Sequence, residues 1–304
     1  MTATLEPLPA ATGVDAIERV LAPATLVQAL AALAEPGGTV VLAGGTDLMP
    51  QSRAGRVGPA RTQLNIRRIA GLDAIAVDGG RLRIGTLVTV ERLLRDALIA
   101  AHAPLLAQAA DHFASAQVRN AATIGGNVCN ALPAGDLLPP LLALDSEVEL
   151  SSLDATGAPR ARWLQLADFF TGPGRTRRAP DELLTALRLP LAVPGQVVRF
   201  HKAGTRPGLD ISTIAIALAA QLDDAGRLHG VRLALGAVAP TPLRALRAEA
   251  LLEGERPTPA LAAQAAACAA AAAAPIDDLR GSAWYRRELL RNMTERMLND
   301  VQAA

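Results

Sequence analysis

The chain has 304 residues, enough for two or three packed units with substantial cores. Half of it is hydrophobic, yet no apolar run free of charge and proline reaches the roughly 20 residues of a membrane span. A net charge of +1 and the lack of a basic stripe argue against nucleic acid as the main partner.

The start, "MTATLEPLPAATG", shows neither the basic leader nor the apolar stretch of a signal peptide, so a cytoplasmic protein is expected. "PATLVQALAALAE" carries apolar residues at helical spacing and stops at Pro36-Gly37-Gly38. "TVVLA" is a short buried strand, and "GGTDLMPQSRAG" after it opens a helix capped by Thr46 or Asp47. "DAIAVDGGRLRIGTLV" alternates on both sides of Asp78-Gly79-Gly80 and predicts a hairpin. "TVERLLRDALIAAHAPLLAQAADHFA" reads as helical with an interruption near Pro104.

"ATIGGNVCNALPAGD" then presents a strand-like apolar run that holds a glycine pair. "DLLPPLLALDSEVEL" reads as a helix capped by Asp136, with early prolines, running into a strand. "EVELSSLDATGAPRARWL" predicts a second hairpin, and the prolines at 190 and 194 mark a domain boundary. Beyond it, "GQVVRFHKAG", "DISTIAIALAAQL" and "RLHGVRLALGAVAP" predict three strands, the last two joined by "DDAGR". "TPLRALRAEALLEG", "TPALAAQAAACAAAAAA" and "SAWYRRELLRNMTERMLNDV" predict helices, the alanine run because alanine is the best helix former.

Two Gly-Gly pairs in similar apolar settings, Gly44-Gly45 and Gly125-Gly126, call for a reason, because paired glycines cost backbone entropy and bring a strand no packing. One reading is a pair of tight turns beside close-packed strands. The other is a pair of anion nests, in which successive N–H groups point to one side and a following helix adds positive potential. Two nests from distant parts of a chain would suit a diphosphate, and no GxGxxG loop competes for that task.

Metal chemistry finds little support. Cys129 and Cys268 lie far apart and read as buried thiols in a reducing cytoplasm, whereas an iron–sulfur cluster takes about four cysteines. The four histidines, His102, His112, His201 and His229, form no HExxH pairing, and no GxSxG elbow is present. Redox chemistry on this chain would need an organic cofactor.

"VLAGGTDL", "RNAATIGGN", "LLPPLLALDSEVEL", "DFFTGPG", "ELLTALRLP", "FHKAGTR", "GAVAPTPLRA" and "PIDDLRGSAWYRR" follow one another in an order and spacing that span nearly the whole chain. By these motifs the chain resembles the FAD-binding medium subunit of the xanthine dehydrogenase and carbon monoxide dehydrogenase family of molybdenum hydroxylases. The resemblance implies an α+β chain with a p-cresol methylhydroxylase-type FAD-binding fold. That fold has two α/β lobes in residues 1–190, split near 70. A C-terminal domain, 191–304, would hold a three-stranded antiparallel sheet with helices.

It also implies that Val41, Leu42, Ala43, Gly44, Gly45, Thr46, Asp47 and Leu48, with Thr123, Ile124, Gly125, Gly126 and Asn127, embrace the FAD diphosphate. Asp136, nine residues past Asn127, matches a position that contacts FAD. Phe113 matches an aromatic position near the cofactor, and Leu184 a backbone or packing contact. Lys202 matches a lysine beside the flavin, where a cation would stabilise the reduced ring. Its residue type alone equally fits a solvated strand end. His201 has no such match, and Arg280, Arg286 and Arg287 are expected to pair with carboxylates or a partner subunit.

The resemblance departs at two places. No cysteine-rich insertion for a [4Fe–4S] cluster is present, and the Ser-Pro-Ala-Ala-Asp pattern is replaced by Leu132-Pro133-Ala134-Gly135-Asp136. The molybdenum-pterin cofactor and [2Fe–2S] clusters would come from a large and a small partner subunit, in a dimer of heterotrimers. Electrons would pass from those clusters to FAD and on to NAD, a quinone or another acceptor. A free-standing FAD-dependent reductase or oxidase, and a flavin-less scaffold, are the competing readings.

Overall fold

Thr25 opens the first helix of the computed structural model, which describes residues 17–57, 60–206 and 208–302. The leader reading on residues 1–13 lies outside the described residues. The Thr25 hydroxyl accepts from Gln28 N, and the Gln28 side chain accepts from the Thr25 backbone, which closes a capping box. The helix, Leu26–Ala34, buries Ala29, Leu30, Ala32 and Leu33 against a three-stranded sheet. That sheet is parallel, with strands Arg19–Leu21, Thr62–Asn65 and Thr39–Leu42 in spatial order.

Both predicted hairpins form and meet in one five-stranded antiparallel sheet. Its spatial order is Ile75–Asp78, Arg81–Gly85, Leu183–Pro190, Glu147–Leu153 and Pro159–Gln165. Gly79 and Gly80 turn the first hairpin with φ of +54° and +73°, the conformation that matches strand twist. Leu183–Pro190 runs between the two hairpins and pairs with both. Leu82, Ile84, Val148, Leu150, Leu187 and Leu189 turn one face of this sheet toward the helices of residues 90–143.

The long helical stretch is three short helices, Val90–Arg95, Ala97–His102 and Pro104–Asp111. Besides the break at Pro104 there is one at Asp96, whose carboxylate caps the second helix by accepting from Leu98 N at 3.0 Å.

Two local expectations are corrected here. "ATIGGNVCN" is not strand-like but holds the helix Ile124–Asn130, capped by Thr123 Oγ1 on Gly126 N at 3.1 Å. Ile124 and Val128, four residues apart, both lie on its buried face, so the spacing is helical although the residues are β-branched. Asp136 does not cap the helix Leu138–Ala143; Leu137 stands at that position without a side-chain cap.

The C-terminal sheet has four strands rather than three: Gln196–Ala203, Ile214–Leu222, Leu228–Gly236 and the two-residue Leu243–Arg244, all antiparallel. Its central strand sorts residues by size. Ile214, Ile216 and Leu218 face the helices Leu246–Leu252, Pro259–Ala272 and Ala283–Gln302. Ala217 and Ala219 face the other way and join the core of the five-stranded sheet. Gly236, in the next strand, lies so close to Pro139 that a Cβ would come within 2.6 Å of its ring. These small residues let the sheet approach the segment that carries Asp136.

Candidate functional site

Strand Thr39–Leu42 ends in the loop Ala43–Asp47, which enters the six-residue helix Leu48–Arg53. Val41 and Leu42 belong to the strand, and Leu48 is the first helical residue. Neither Thr46 nor Asp47 caps this helix by its side chain; Asp47 Oδ2 accepts instead from the Gln51 side chain. Gly45 adopts φ of +72°, a left-handed conformation that side chains resist. The N–H groups of Gly44, Gly45, Thr46, Asp47 and Leu48 bond no acceptor among the described residues. Five adjacent main-chain donors at a strand end are what an anion needs.

The second glycine pair is built differently. Ile124 N donates to Val88 O and Gly125 N to Thr86 O, each at 3.0 Å, and Asn127 N donates to Thr123 O. With Gly126 N on Thr123 Oγ1, these donors are spent within the protein, so the expected second nest is absent. The buried Oδ1 of Asn127, in contrast, has no partner among the described residues. A buried side-chain oxygen of this kind calls for a hydrogen-bond donor from outside these residues.

Within each pair the two glycines do different work. A Cβ on Gly44 would come within 1.9 Å of Ala121 O, and one on Gly125 within 1.7 Å of Thr86 Oγ1. Gly44 therefore holds the first loop against the chain that leads into Thr123, and Gly125 seats its helix on Thr86. Gly126 is exposed and would meet only Thr123 Oγ1, at 3.0 Å. Its open side lets a ligand approach the main chain. Thus Gly44 brings the two segments together across about eighty residues of chain.

A second cluster forms around Asp136. Its Oδ2 accepts from Lys202 Nζ and its Oδ1 from Ser212 Oγ, each at 2.6 Å, and Lys202 Nζ also donates to His112 O at 3.1 Å. Both charged side chains are buried, so Lys202 is not a solvated strand end. Burial pushes the Asp136 carboxyl above the ordinary range, while Lys202, the Ser212 hydroxyl and His112 pull it back. Two of the three ammonium donors are used within the protein, which leaves one for a ligand.

Phe113 follows His112 and packs at the edge of the large core. Leu184 and Ile124 are buried, and their side chains belong to the large core. His201, next to Lys202, is held below the usual imidazole range by burial, then by His112 and Arg296. Arg286 is buried and donates to Thr213 O, Ala237 O and Asp278 Oδ1, a structural pairing as expected. Cys129 and Cys268 are half-buried rather than buried.

Ser212 and a cavity were not foreseen. The cavity, about 280 Å³, lies between the turn Arg67–Asp73 and the residues Thr89, Ala121 and Thr123. Ser212 sits 76 residues from the carboxylate it bonds, so no local pattern announces it.

The FAD binding domain found in molybdopterin dehydrogenases matches residues 15–192, and the CO dehydrogenase flavoprotein C-terminal domain matches 199–301. The chain belongs to this family. It is an FAD-binding subunit of the molybdenum hydroxylase class of oxidoreductases, with the α+β fold of p-cresol methylhydroxylase type.

The chain is 34% identical to a xanthine dehydrogenase FAD-binding subunit of Escherichia coli O157:H7, over 92% of this chain and 94% of the relative. It is 31% identical to the carbon monoxide dehydrogenase medium chain of Hydrogenophaga pseudoflava, over 93% and 96%. Carbon monoxide dehydrogenase from that organism, solved without its Mo-pyranopterin moiety, superposes with a TM-score of 0.88 at 31% identity, covering 94% of this chain and 98% of the other. Quinoline 2-oxidoreductase from Pseudomonas putida 86 gives 0.86 at 27% identity, covering 94% and 97%. Among the described residues no helix is long and apolar enough to cross a membrane, and no cluster of three or more His, Cys, Asp or Glu could hold a metal ion.

Proposed function

We propose that the loop Gly44–Leu48 binds the FAD diphosphate through its main-chain N–H groups, with Gly126 and Asn127 completing the embrace. The observation that carries this reading is the run of five donors packed, through Gly44, against the segment that holds the unpartnered Asn127 Oδ1. Lys202, fixed by Asp136 and the His112 carbonyl, would direct its remaining donor to the flavin ring. Bound FAD supplies the redox chemistry, accepting electrons from [2Fe–2S] clusters and yielding them to NAD, a quinone or another acceptor. The residues of this chain bind and orient it and exclude water.

In the same reading residues 1–190 form the FAD-binding part and 191–304 the C-terminal domain. The partners are a large molybdenum-cofactor subunit and a small [2Fe–2S] subunit, assembled as a dimer of heterotrimers in the cytoplasm. Support for partners of this kind comes from relatives that are named medium chains and FAD-binding subunits. Affinity purification from the native host tests the reading. FAD released by heat, together with molybdenum, iron and two further subunits, is the expected result. An intact native complex that holds FMN or no flavin would overturn it, as would full-rate substrate oxidation by this chain alone.

A further inference from the structure

We infer that Arg67 and Arg68 supply the counter-charge of the FAD diphosphate from the side of the site facing the Gly44–Leu48 loop. This inference rests on the FAD reading above and assigns residues that the motifs did not single out. Strands Thr39–Leu42 and Thr62–Asn65 are parallel neighbours, so the loops that leave them emerge at the same edge of the sheet. Ile66 N donates to Leu42 O at 3.0 Å, which ties the two exits together. The carboxyl edge of a parallel sheet is where such folds bind ligands. One exit carries the free main-chain donors; the other carries two adjacent arginines.

The arginine turn is rigidly held. Asn65 Oδ1 accepts from Arg67 N at 3.1 Å, and Ile69 N donates to Ile66 O at 3.1 Å. Ile69 and Leu72 are buried beneath it, and Leu87 N donates to Leu72 O at 2.7 Å. Arg92 Nη1 fastens its far end through Asp73 O at 2.7 Å. On this support the Arg67 and Arg68 side chains are exposed, and neither guanidinium pairs with a described residue.

Both arginines line the cavity whose opposite wall is Ala121 and Thr123, the segment on which Gly44 rests. At about 280 Å³ the cavity is smaller than a site for a whole cofactor, roughly 300–1,000 Å³, and suits a fragment of one. Asp73 lines it too, so two cations stand against one carboxylate and the cavity is net positive. A planar guanidinium accommodates phosphate oxygens in pairs and adds a full positive charge, which main-chain donors lack. Main-chain donors on one side and guanidinium on the other fit a diphosphate, which exposes oxygens in both directions.

The test is a titration of the full-length flavin-stripped chain with FAD, followed by flavin fluorescence, at low and at high salt. The R67A/R68A variant should bind FAD about a hundredfold more weakly than wild type, as two lost charged hydrogen bonds imply. The wild-type affinity should fall with salt, and the variant should lose most of that salt dependence. R67K/R68K, which keeps the charge without the paired geometry, should lie between the two and hold its salt dependence. If R67A/R68A, or R67Q/R68Q should the alanines impair folding, binds FAD like wild type at every salt concentration, the inference is overturned and the FAD reading stands. If wild type itself binds no FAD, the FAD reading falls.

Discussion

The ammonium of Lys202 and the carboxylate of Asp136 meet at 2.6 Å, both buried, and join segments 66 residues apart in sequence. The pair is insulated from water, so each charge depends on the other. Lys202→Met should therefore destabilise the chain by about 3–5 kcal/mol, the usual result of leaving a buried charge alone. Asp136→Asn combined with Lys202→Met should recover much of that loss, because no unpaired charge remains. Urea unfolding followed by circular dichroism would show it. A double variant less stable than Lys202→Met would contradict this account of the pair.

The glycines allow a sharper separation of folding from binding. Gly44→Ala and Gly125→Ala each push a methyl group into Ala121 O or the Thr86 side chain. Overpacking of this kind costs typically 1–3 kcal/mol, and contacts this short place both at or beyond the upper end. Gly126→Ala meets only Thr123 Oγ1, so it should melt close to wild type and yet bind FAD more weakly. Thermal melts of apo-protein beside FAD titrations would distinguish the two classes. A Gly126→Ala variant with wild-type FAD affinity would remove that glycine from the site.

Much of this arrangement is legible in the sequence, and the exceptions share a cause. "VLAGGTDL" announces its own loop, since a strand that ends in paired glycines leaves main-chain donors uncovered. "TIGGNV" misleads because Ile124 and Val128 are β-branched, while their four-residue spacing and the cap at Thr123 decide for helix. Asp136 reads as a helix cap by its place before "LLPPLL", but its partners Lys202 and Ser212 come from the C-terminal sheet. Leu183–Pro190 likewise goes unread as a strand, because it is defined by pairing with two hairpins distant along the chain. Local propensity and spacing reach a few residues along the chain; the missing facts are contacts between distant segments.

Acid should unfold the protein through identifiable ion pairs. Hydrogen bonds from Arg188 hold the Glu147 carboxyl below the usual glutamate range, and those from Arg162 do the same for Glu182. A depressed folded pKa contributes stability above the unfolded pKa, about 4.3, that is lost as pH falls through the folded value. Stability should thus decline below about pH 4.3 with a slope that each of these glutamates steepens. Glu182→Gln should be less stable than wild type at neutral pH and show a flatter decline in acid. Equal slopes for variant and wild type in pH-dependent urea unfolding would exclude Glu182 as a contributor.

Cys129 provides a test of packing at the end of the helix that carries Gly126 and Asn127. Its thiol is pushed up to about 11 by burial, with only a small opposing pull from Arg178. A free thiol titrates near 8.5, so at pH 8 Cys129 should hold less than about one-hundredth of the thiolate of an open cysteine. Alkylation by iodoacetamide, followed residue by residue by mass spectrometry, should leave Cys129 unmodified over the time in which an unfolded control reacts fully. Modification should appear in step with unfolding when urea is added, because unfolding removes the burial that raises the thiol's pKa. Because Gly125 seats this helix on Thr86, Gly125→Ala should expose Cys129 at lower urea than wild type. Fast labelling of native wild-type Cys129 at pH 8 would show that the helix is not seated as described.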